Sequence, residues 1–114
     1  MADCLFCKIG KKEIPAGIIH EDDEMFAIKD INPQAPLHVL VIPRRHIPTL
    51  NDLSPADDAL VGAMTRRAAA IAAEHGYDSR GYRAVFNTNA EAGQSVFHIH
   101  LHVLGGRGMK WPPG

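Results

Sequence analysis

Three histidines alternate with branched apolar residues near the C-terminal end of the chain, within residues 96–104. Side chains of a β-strand point to opposite faces with a period of two, so His98, His100 and His102 are predicted to share one face. The opposite, apolar face would carry Phe97, Ile99, Leu101 and Val103. The alternation thus predicts a strand with one face in a core. Surface strands usually use Thr, Lys, Glu and Arg, so the histidine face is interpreted as a site rather than a solvated surface.

Length and composition are typical of one globular domain. The chain has 114 residues, of which 46% are hydrophobic and 22% charged, enough for one hydrophobic core. Its formal net charge of −1 provides no basic surface for nucleic acid or an anionic membrane. The sequence has neither an apolar run of about 20 residues nor a signal-peptide pattern. We therefore expect a single domain over residues 1–114 in the cytoplasm, without a nucleic-acid or membrane partner.

Hydrophobic periodicity and turn residues predict two helices and five strands. The predicted elements are a short helix over 3–10, strands over 18–21, 25–30 and 37–42, a helix of about 21 residues from Ser54 to Gly76, and strands over 82–87 and 96–104. Ser54 and Pro55 suit the first positions of the long helix. This order predicts an α+β protein with a mostly antiparallel sheet of about five strands, one long helix and one short helix.

The histidine face is compatible with two kinds of chemistry. Two histidines at alternate strand positions can chelate a catalytic metal, but such a site also needs an acid, and the nearest, Glu91, lies in a predicted loop. A neutral imidazole is also a good nucleophile toward phosphorus, provided that other groups bind the phosphoryl oxygens. His38 and the turn over residues 93–95 can supply those groups. Taken alone, His38 is better explained as a hydrogen-bonded core residue of a buried strand than as a site residue.

Cys4 and Cys7 have the spacing C-x-x-C, which in a reducing compartment indicates a metal pair or a redox pair. A redox pair is expected between a strand and a helix of a βαβ unit, whereas these two residues lie near the N-terminus. We therefore favour metal, with two reduced, half-buried cysteines as the alternative. The basic turn over residues 44–46 is most simply a solvated one.

The sequence resembles the histidine triad (HIT) superfamily, and within it the histidine triad nucleotide-binding (Hint) branch. The segments that carry the resemblance are Gly93–Arg107 and Trp111–Gly114, with Lys11–Pro15, Glu21–Asp23, Asp30–Pro36 and His38–His46 upstream. They cover nearly the whole chain. The resemblance implies a HIT-like fold and a hydrolase that cleaves the P–N bond of purine nucleoside 5′-phosphoramidates and related acyl or aminoacyl adenylates, without magnesium.

The resemblance also implies a role for individual residues. His100 would attack the α-phosphorus and become transiently nucleotidylated, while His102 and His38 would donate to phosphoryl oxygens. Ser95 would lie near the leaving nitrogen. The implied nucleotide-binding residues are Asn87 and the backbone of Gly93, Gln94 and Ser95 at the phosphate, Asp30 at the ribose, and Phe6, Ile9, Ile28 and Ile31 around the base.

A structural zinc ion and a homodimer are implied as well. The zinc ligands would be Cys4, Cys7, His46 and His98, a closed set of two thiolates and two imidazoles with no open coordination position. In the homodimer, the sheets would join edge to edge and the C-terminal tail would reach toward the partner's site.

Two other functions remain open on the sequence. The chain could be a nucleotide-binding regulatory module with incidental hydrolysis, although the complete set of His38, Ser95, His100 and His102 argues against lost catalysis. It could also be a dinucleoside polyphosphate hydrolase. The turn over residues 93–95 and the ending Trp111–Gly114 favour the phosphoramidase branch instead.

Overall fold

The computed structural model describes residues 3–114 and has a five-stranded antiparallel sheet with α-helices on both faces. The elements are α1 (Leu5–Gly10), β1 (Ile18–Glu21), β2 (Met25–Lys29), β3 (Leu37–Pro43), α2 (Asp58–Glu74), β4 (Tyr82–Val85) and β5 (Leu101–Gly105). The strand order is β1-β2-β3-β5-β4, and each neighbouring pair is antiparallel. The predicted α+β class, strand number and pair of helices are confirmed.

Strand β3 lies at the centre of the sheet, and all seven of its residues are buried. This position explains its nearly continuous apolar sequence, because both faces are covered. On one face, α2 packs through a stripe of buried residues, Met64, Ala68, Ile71 and Ala72. On the other face, α1 packs through Phe6 and Ile9. The two faces of β3 therefore lie in separate cores, and the second core adjoins the histidines.

The long helix is shorter than predicted, because its first turn is a separate 3₁₀ turn at Pro55–Asp57. The tighter turn lets the Asp57 carboxylate accept a hydrogen bond from the Ser54 N–H at 2.9 Å. The buried Asp57 carboxylate also forms an ion pair with Arg45. The basic turn is therefore not simply solvated, as Arg44 also donates to the Gly10 carbonyl at 2.8 Å. Neither α-helix in the described part of the chain is long and apolar enough to cross a membrane.

The histidine stretch is only partly a strand. β5 begins at Leu101, and the preceding residues leave the sheet: the Ile99 N–H donates to the Ile47 carbonyl at 2.8 Å instead. Ile99, Leu101 and Val103 are buried in the α2 core as predicted, but Phe97 is 49% exposed. The predicted placement of Phe97 in the core is wrong, because strict alternation holds only where the strand is paired.

Candidate functional site

His100 lies directly before β5 and against α1, with 8% of its surface exposed. Its Nδ1 lies 2.8 Å from the His98 carbonyl, so Nδ1 carries the proton and donates. The edge of the Phe6 ring packs against it, with ring centroids 5.0 Å apart. Burial lowers the pKa of His100 below its usual value, against the opposing effects of this hydrogen bond and of Asp30. His100 is therefore a neutral imidazole at pH 7 with an unprotonated Nε2.

His102 has the opposite tautomer, which is set through His38. The Gln34 N–H donates to His38 Nδ1 at 3.0 Å, so neutral His38 carries its proton on Nε2. His38 Nε2 lies 2.9 Å from His102 Nδ1 and donates to it. His102 is consequently protonated on Nε2. Two neighbouring histidines thus present different groups, a lone pair on His100 and an N–H donor on His102.

Asp30 lies beside this pair. Its Oδ1 accepts from the Asn32 N–H at 2.8 Å, and its Oδ2 lies 3.4 Å from His38 Nε2. Asp30, His38 and His102 are close enough together to hold a cation. The Gln34 N–H opposes that use, because it keeps the His38 proton on Nε2, where a metal ligand would need a lone pair. These three groups are better suited to proton positioning.

The same arrangement affects the pKa of His102. Burial, together with the positive charges that His100 and His38 can carry, lowers the pKa of His102 to about 4, although Asp30 acts in the other direction. His102 is therefore a neutral donor across the physiological range.

Folding stability is expected to fall as the pH falls from 7 to 5. Unfolded His102 takes up a proton near its ordinary pKa of 6.5, whereas folded His102 does so only near pH 4. The unfolded state binds more protons in this interval, so stability rises with pH, by at most about 1.4 kcal/mol per pH unit and less where solvent reaches the ring. Urea unfolding at pH 7, 6 and 5 should show a flatter dependence for His102→Gln than for the control His20→Gln. Identical slopes for the wild type and His102→Gln would contradict this assignment.

A cavity of about 480 Å³ opens beside His100 and His102. The predicted site residues that line it are Phe6, Ile9, Ile28, Asp30, Ile31, Asn87, Gly93, Ser95, His100 and His102. These residues were assigned to one site from the sequence, and the fold brings them together from both ends of the chain. Ile31 is completely exposed at the rim, where it has no protein neighbour to cover it.

Two predicted residues lie outside the cavity wall. His38 stands behind His102 and acts through it. Gln94 turns inward: its side-chain amide donates to the Pro48 and Val96 carbonyls at 2.8 and 3.1 Å. Its Oε1 accepts from the Asn89 N–H at 2.8 Å. The Gln94 side chain therefore holds the loop together.

The turn over residues 93–95 offers fewer free donors than its sequence suggests. Gly93 has φ of +81°, a left-handed conformation that favours glycine, and its N–H donates to the Ala90 carbonyl at 3.0 Å. The Gln94 N–H donates to the Asn89 carbonyl at 3.1 Å. Ser95 is exposed and lines the cavity. It is therefore the donor of this turn best placed to meet a ligand.

Sequence reasoning missed a part of the cavity wall that comes from the segment after α1 and from single residues of α1, β2, β3 and the loop before β5. These residues are Leu5, Ile14, Pro15, Ala16, Gly17, Lys29, Leu40 and Val96. The sequence predicts a turn over residues 15–17, but the position of this turn beside the cavity depends on how α1 packs against the sheet.

A second cluster joins the start of α1 to two later segments of the chain. The donor atoms of Cys4, Cys7, His46 and His98 all lie within 4.8 Å of one another. His98 Nδ1 is 3.4 Å from Cys4 Sγ, 3.6 Å from Cys7 Sγ and 3.2 Å from His46 Nδ1. A tetrahedral zinc ion would require edges of about 3.6 Å between sulfur and nitrogen and about 3.3 Å between two nitrogens. The donor set fits such an ion in both type and spacing.

The protonation of the cluster is consistent with this fit. His98 Nε2 donates to the Pro43 carbonyl at 2.7 Å, which leaves Nδ1 as a lone pair directed at the other three donors. Burial, reinforced by Cys4, raises the pKa of the Cys7 thiol. A cation is the group that would convert both thiols to thiolates.

Comparison with known proteins gives consistent results. A family model described as scavenger mRNA decapping enzyme C-term binding matches residues 3–110. The chain is 48% identical over 105 residues to the purine nucleoside phosphoramidase of Escherichia coli K12, covering 92% of this chain and 88% of that protein.

Two solved structures resemble the chain along most of its length. A HIT family hydrolase from Legionella pneumophila superposes with a TM-score of 0.97 at 52% identity, covering 98% of this chain and all of the other. A Zn-bound histidine triad family protein from Mycobacterium smegmatis superposes with a TM-score of 0.80 at 40% identity, covering 93% and 76%.

Proposed function

Because the chain belongs to the histidine triad superfamily, a family of nucleotide hydrolases, we propose that it cleaves the P–N bond of purine nucleoside 5′-phosphoramidates. Acyl and aminoacyl adenylates would be substrates of the same kind. The observation that carries the proposal is the pair of opposite tautomers beside the cavity, a lone pair on His100 and a donor on His102. Nucleophilic displacement at phosphorus needs these two groups.

In the first step, His100 Nε2 attacks the α-phosphorus and forms a P–N bond while the bond to the leaving nitrogen breaks. The Ser95 hydroxyl donates its proton to the leaving nitrogen, which departs as an amine, and solvent water returns a proton to Ser95. The His102 N–H donates to a phosphoryl oxygen, and this hydrogen bond strengthens as negative charge develops. In the second step, water attacks phosphorus and the bond to His100 Nε2 breaks; the water gives up one proton to solvent, and the products are the nucleoside monophosphate and a neutral imidazole.

The rest of the cavity suits a nucleoside. Asp30 retains a carboxylate that can accept from the ribose hydroxyls, and Asn87 of the cavity wall would contact the phosphate. The base slot would be formed by Phe6, Ile9 and Ile28, with the exposed side chain of Ile31 covered by the bound base. Burial of that side chain would contribute on the order of 2 kcal/mol.

The four-residue cluster is proposed to hold a structural zinc ion, bound by Cys4, Cys7, His46 and His98. Its support is the tetrahedral spacing of the donors and the Zn-bound relative. Four protein ligands leave no open position, so zinc would stabilise the fold without taking part in the reaction. Magnesium is not expected to be required, because His102 and Ser95 can supply the contacts to phosphate.

We also expect a homodimer in the cytoplasm. The sheet ends in β4 on one side, where Tyr82 is 38% exposed, so this edge is available for pairing with a second copy.

The proposed reaction is tested by kcat/KM for a panel of phosphoramidates and acyl adenylates that differ in base and leaving group, together with dinucleoside polyphosphates. Adenosine and guanosine compounds should differ by less than about tenfold, because the side chains proposed to surround the base are apolar and provide no hydrogen bonds that distinguish the two purines. The same panel should show turnover without added magnesium. Tight AMP binding combined with negligible turnover of every compound would instead identify a regulatory nucleotide-binding module. Turnover confined to dinucleoside polyphosphates would identify the other hydrolase class.

A further inference from the structure

The segment Gly105-Gly106-Arg107 at the end of β5 has no part in the steps described so far. Gly106 has φ of +96°, and a Cβ there would lie 2.8 Å from Pro36 Cβ and 2.8 Å from the Tyr77 hydroxyl. A Cβ on Gly105 would lie 3.0 Å from the Tyr77 ring. Gly106 therefore allows the end of β5 to lie directly against Pro36 in the loop of residues 32–36, while Gly105 makes room for the Tyr77 ring.

Arg107 contacts that loop through its side chain. Its Nε donates to the Gln34 carbonyl at 2.8 Å, and its Nη1 donates to the Gly108 carbonyl at 3.1 Å. The Gln34 side-chain amide donates to the Asn32 carbonyl at 3.0 Å. The guanidinium and this amide together hold the backbone of Gln34 in one orientation.

The orientation matters because the N–H of the same residue donates to His38 Nδ1. If that N–H turned away, His38 could carry its proton on Nδ1, and its Nε2 would become an acceptor. His102 would then have to donate from Nδ1, which would leave a lone pair on its Nε2. A lone pair at this position would repel a phosphoryl oxygen instead of binding it.

We propose that Arg107 is a positioning residue, which fixes the tautomers of His38 and His102 through the backbone of Gln34. The consequence for turnover rests on the proposed function, whereas the tautomers are a property of the free protein. The chain of hydrogen bonds runs from the exposed guanidinium to a donor at the cavity wall.

The tautomers can be read by long-range ¹H–¹⁵N NMR of the ¹⁵N-histidine-labelled protein, with His38→Asn and His102→Asn used to assign the signals. Both rings of the wild type should be protonated on Nε2. Arg107→Met should populate the other tautomer and lower kcat about tenfold, with KM changed by less than about twofold. Arg107→Lys should restore part of kcat, because an ammonium can still donate to the Gln34 carbonyl. Arg66→Met is the matched control, since Arg66 lies exposed on α2, beside Asp22 and Glu24 and apart from this loop.

A second pair of variants tests the contribution of the Gln34 backbone N–H separately. Gln34→Pro removes this donor, whereas Gln34→Ala keeps it and removes only the side-chain amide. We expect about a 100-fold loss of kcat for Gln34→Pro and less than about threefold for Gln34→Ala. If Gln34→Pro does not fold, the spectrum of Arg107→Met decides.

The proposal is overturned if wild-type His38 is protonated on Nδ1, or if Arg107→Met leaves both the tautomers and kcat unchanged. Should no variant, nor the wild type, hydrolyse a phosphoramidate, the proposed function fails, and the NMR result still decides the role of Arg107.

Discussion

Replacement of His100 by alanine is expected to lower kcat for an adenosine phosphoramidate by at least about 10⁴-fold while leaving AMP binding within a few-fold of the wild type. Of the two histidines that line the cavity, His100 is the one whose Nε2 is unprotonated, because its proton is held by the His98 carbonyl. Its removal therefore deletes the nucleophile. The apolar wall and Asp30, which are proposed to bind the nucleoside, remain.

The measurement combines steady-state kinetics with calorimetric titration of AMP. His20→Ala is the control, since His20 pairs with Asp22 away from the cavity and its loss should leave both quantities unchanged. Mass spectrometry of rapidly quenched wild-type protein should detect one added nucleotidyl group, which His100→Ala should lack. Turnover of His100→Ala near the wild-type level would rule out a covalent mechanism through this residue.

Loss of the metal cluster should have the largest effect on stability. The purified protein is expected to contain about one zinc per chain, and Cys7→Ser should reduce this to a small fraction and lower Tm by about 10 °C or more. Without the ion, two thiols and two imidazoles remain in partly or fully buried positions with only weak hydrogen bonds between them. The N-terminal helix would then be held by its apolar contacts and by the hydrogen bond from Arg44 to the Gly10 carbonyl.

The effect should extend to the cavity. Phe6 and Ile9 lie on the same short helix as Cys7 and line the proposed base slot, so KM should rise about tenfold while kcat changes less. Lys8→Ser, on the same helix, is the control for altered helix propensity. Zinc content is read by inductively coupled plasma mass spectrometry. A zinc-free wild type with the same Tm as Cys7→Ser would show that these four residues do not form a metal site.

The sequence predicts the architecture well because the fold follows from local patterns. The apolar run of β3 predicts that this strand is buried on both faces, and the apolar stripe of α2 predicts the face that packs on the sheet. Asp22 is typical of a turn, where its carboxylate accepts from nearby backbone N–H groups. The departure of residues 96–100 from the sheet was not predictable in this way. It depends on a hydrogen bond from Ile99 to Ile47, some fifty positions earlier in the chain.

For the candidate site, too, one part could be predicted from the sequence and another part could not. The types of its residues were visible in the sequence, and the resemblance assigned them roles. The positions of their protons were not visible, since these depend on the carbonyls of Pro43 and His98 and on the Gln34 N–H. Backbone groups have no sequence signature, so only the structure distinguishes the attacking histidine from the donating one.

The four cysteine and histidine donors come from three distant parts of the chain, with Cys4 and His98 separated by 94 positions. A nascent or partly folded chain offers at most the two thiols as a local pair, since closing the remaining loop requires the central strands to have assembled. High-affinity metal uptake would therefore occur only after the last strand has docked. The cluster would then act as a checkpoint for completed folding: metal content would report the fraction of molecules whose ligand cavity has been fully built.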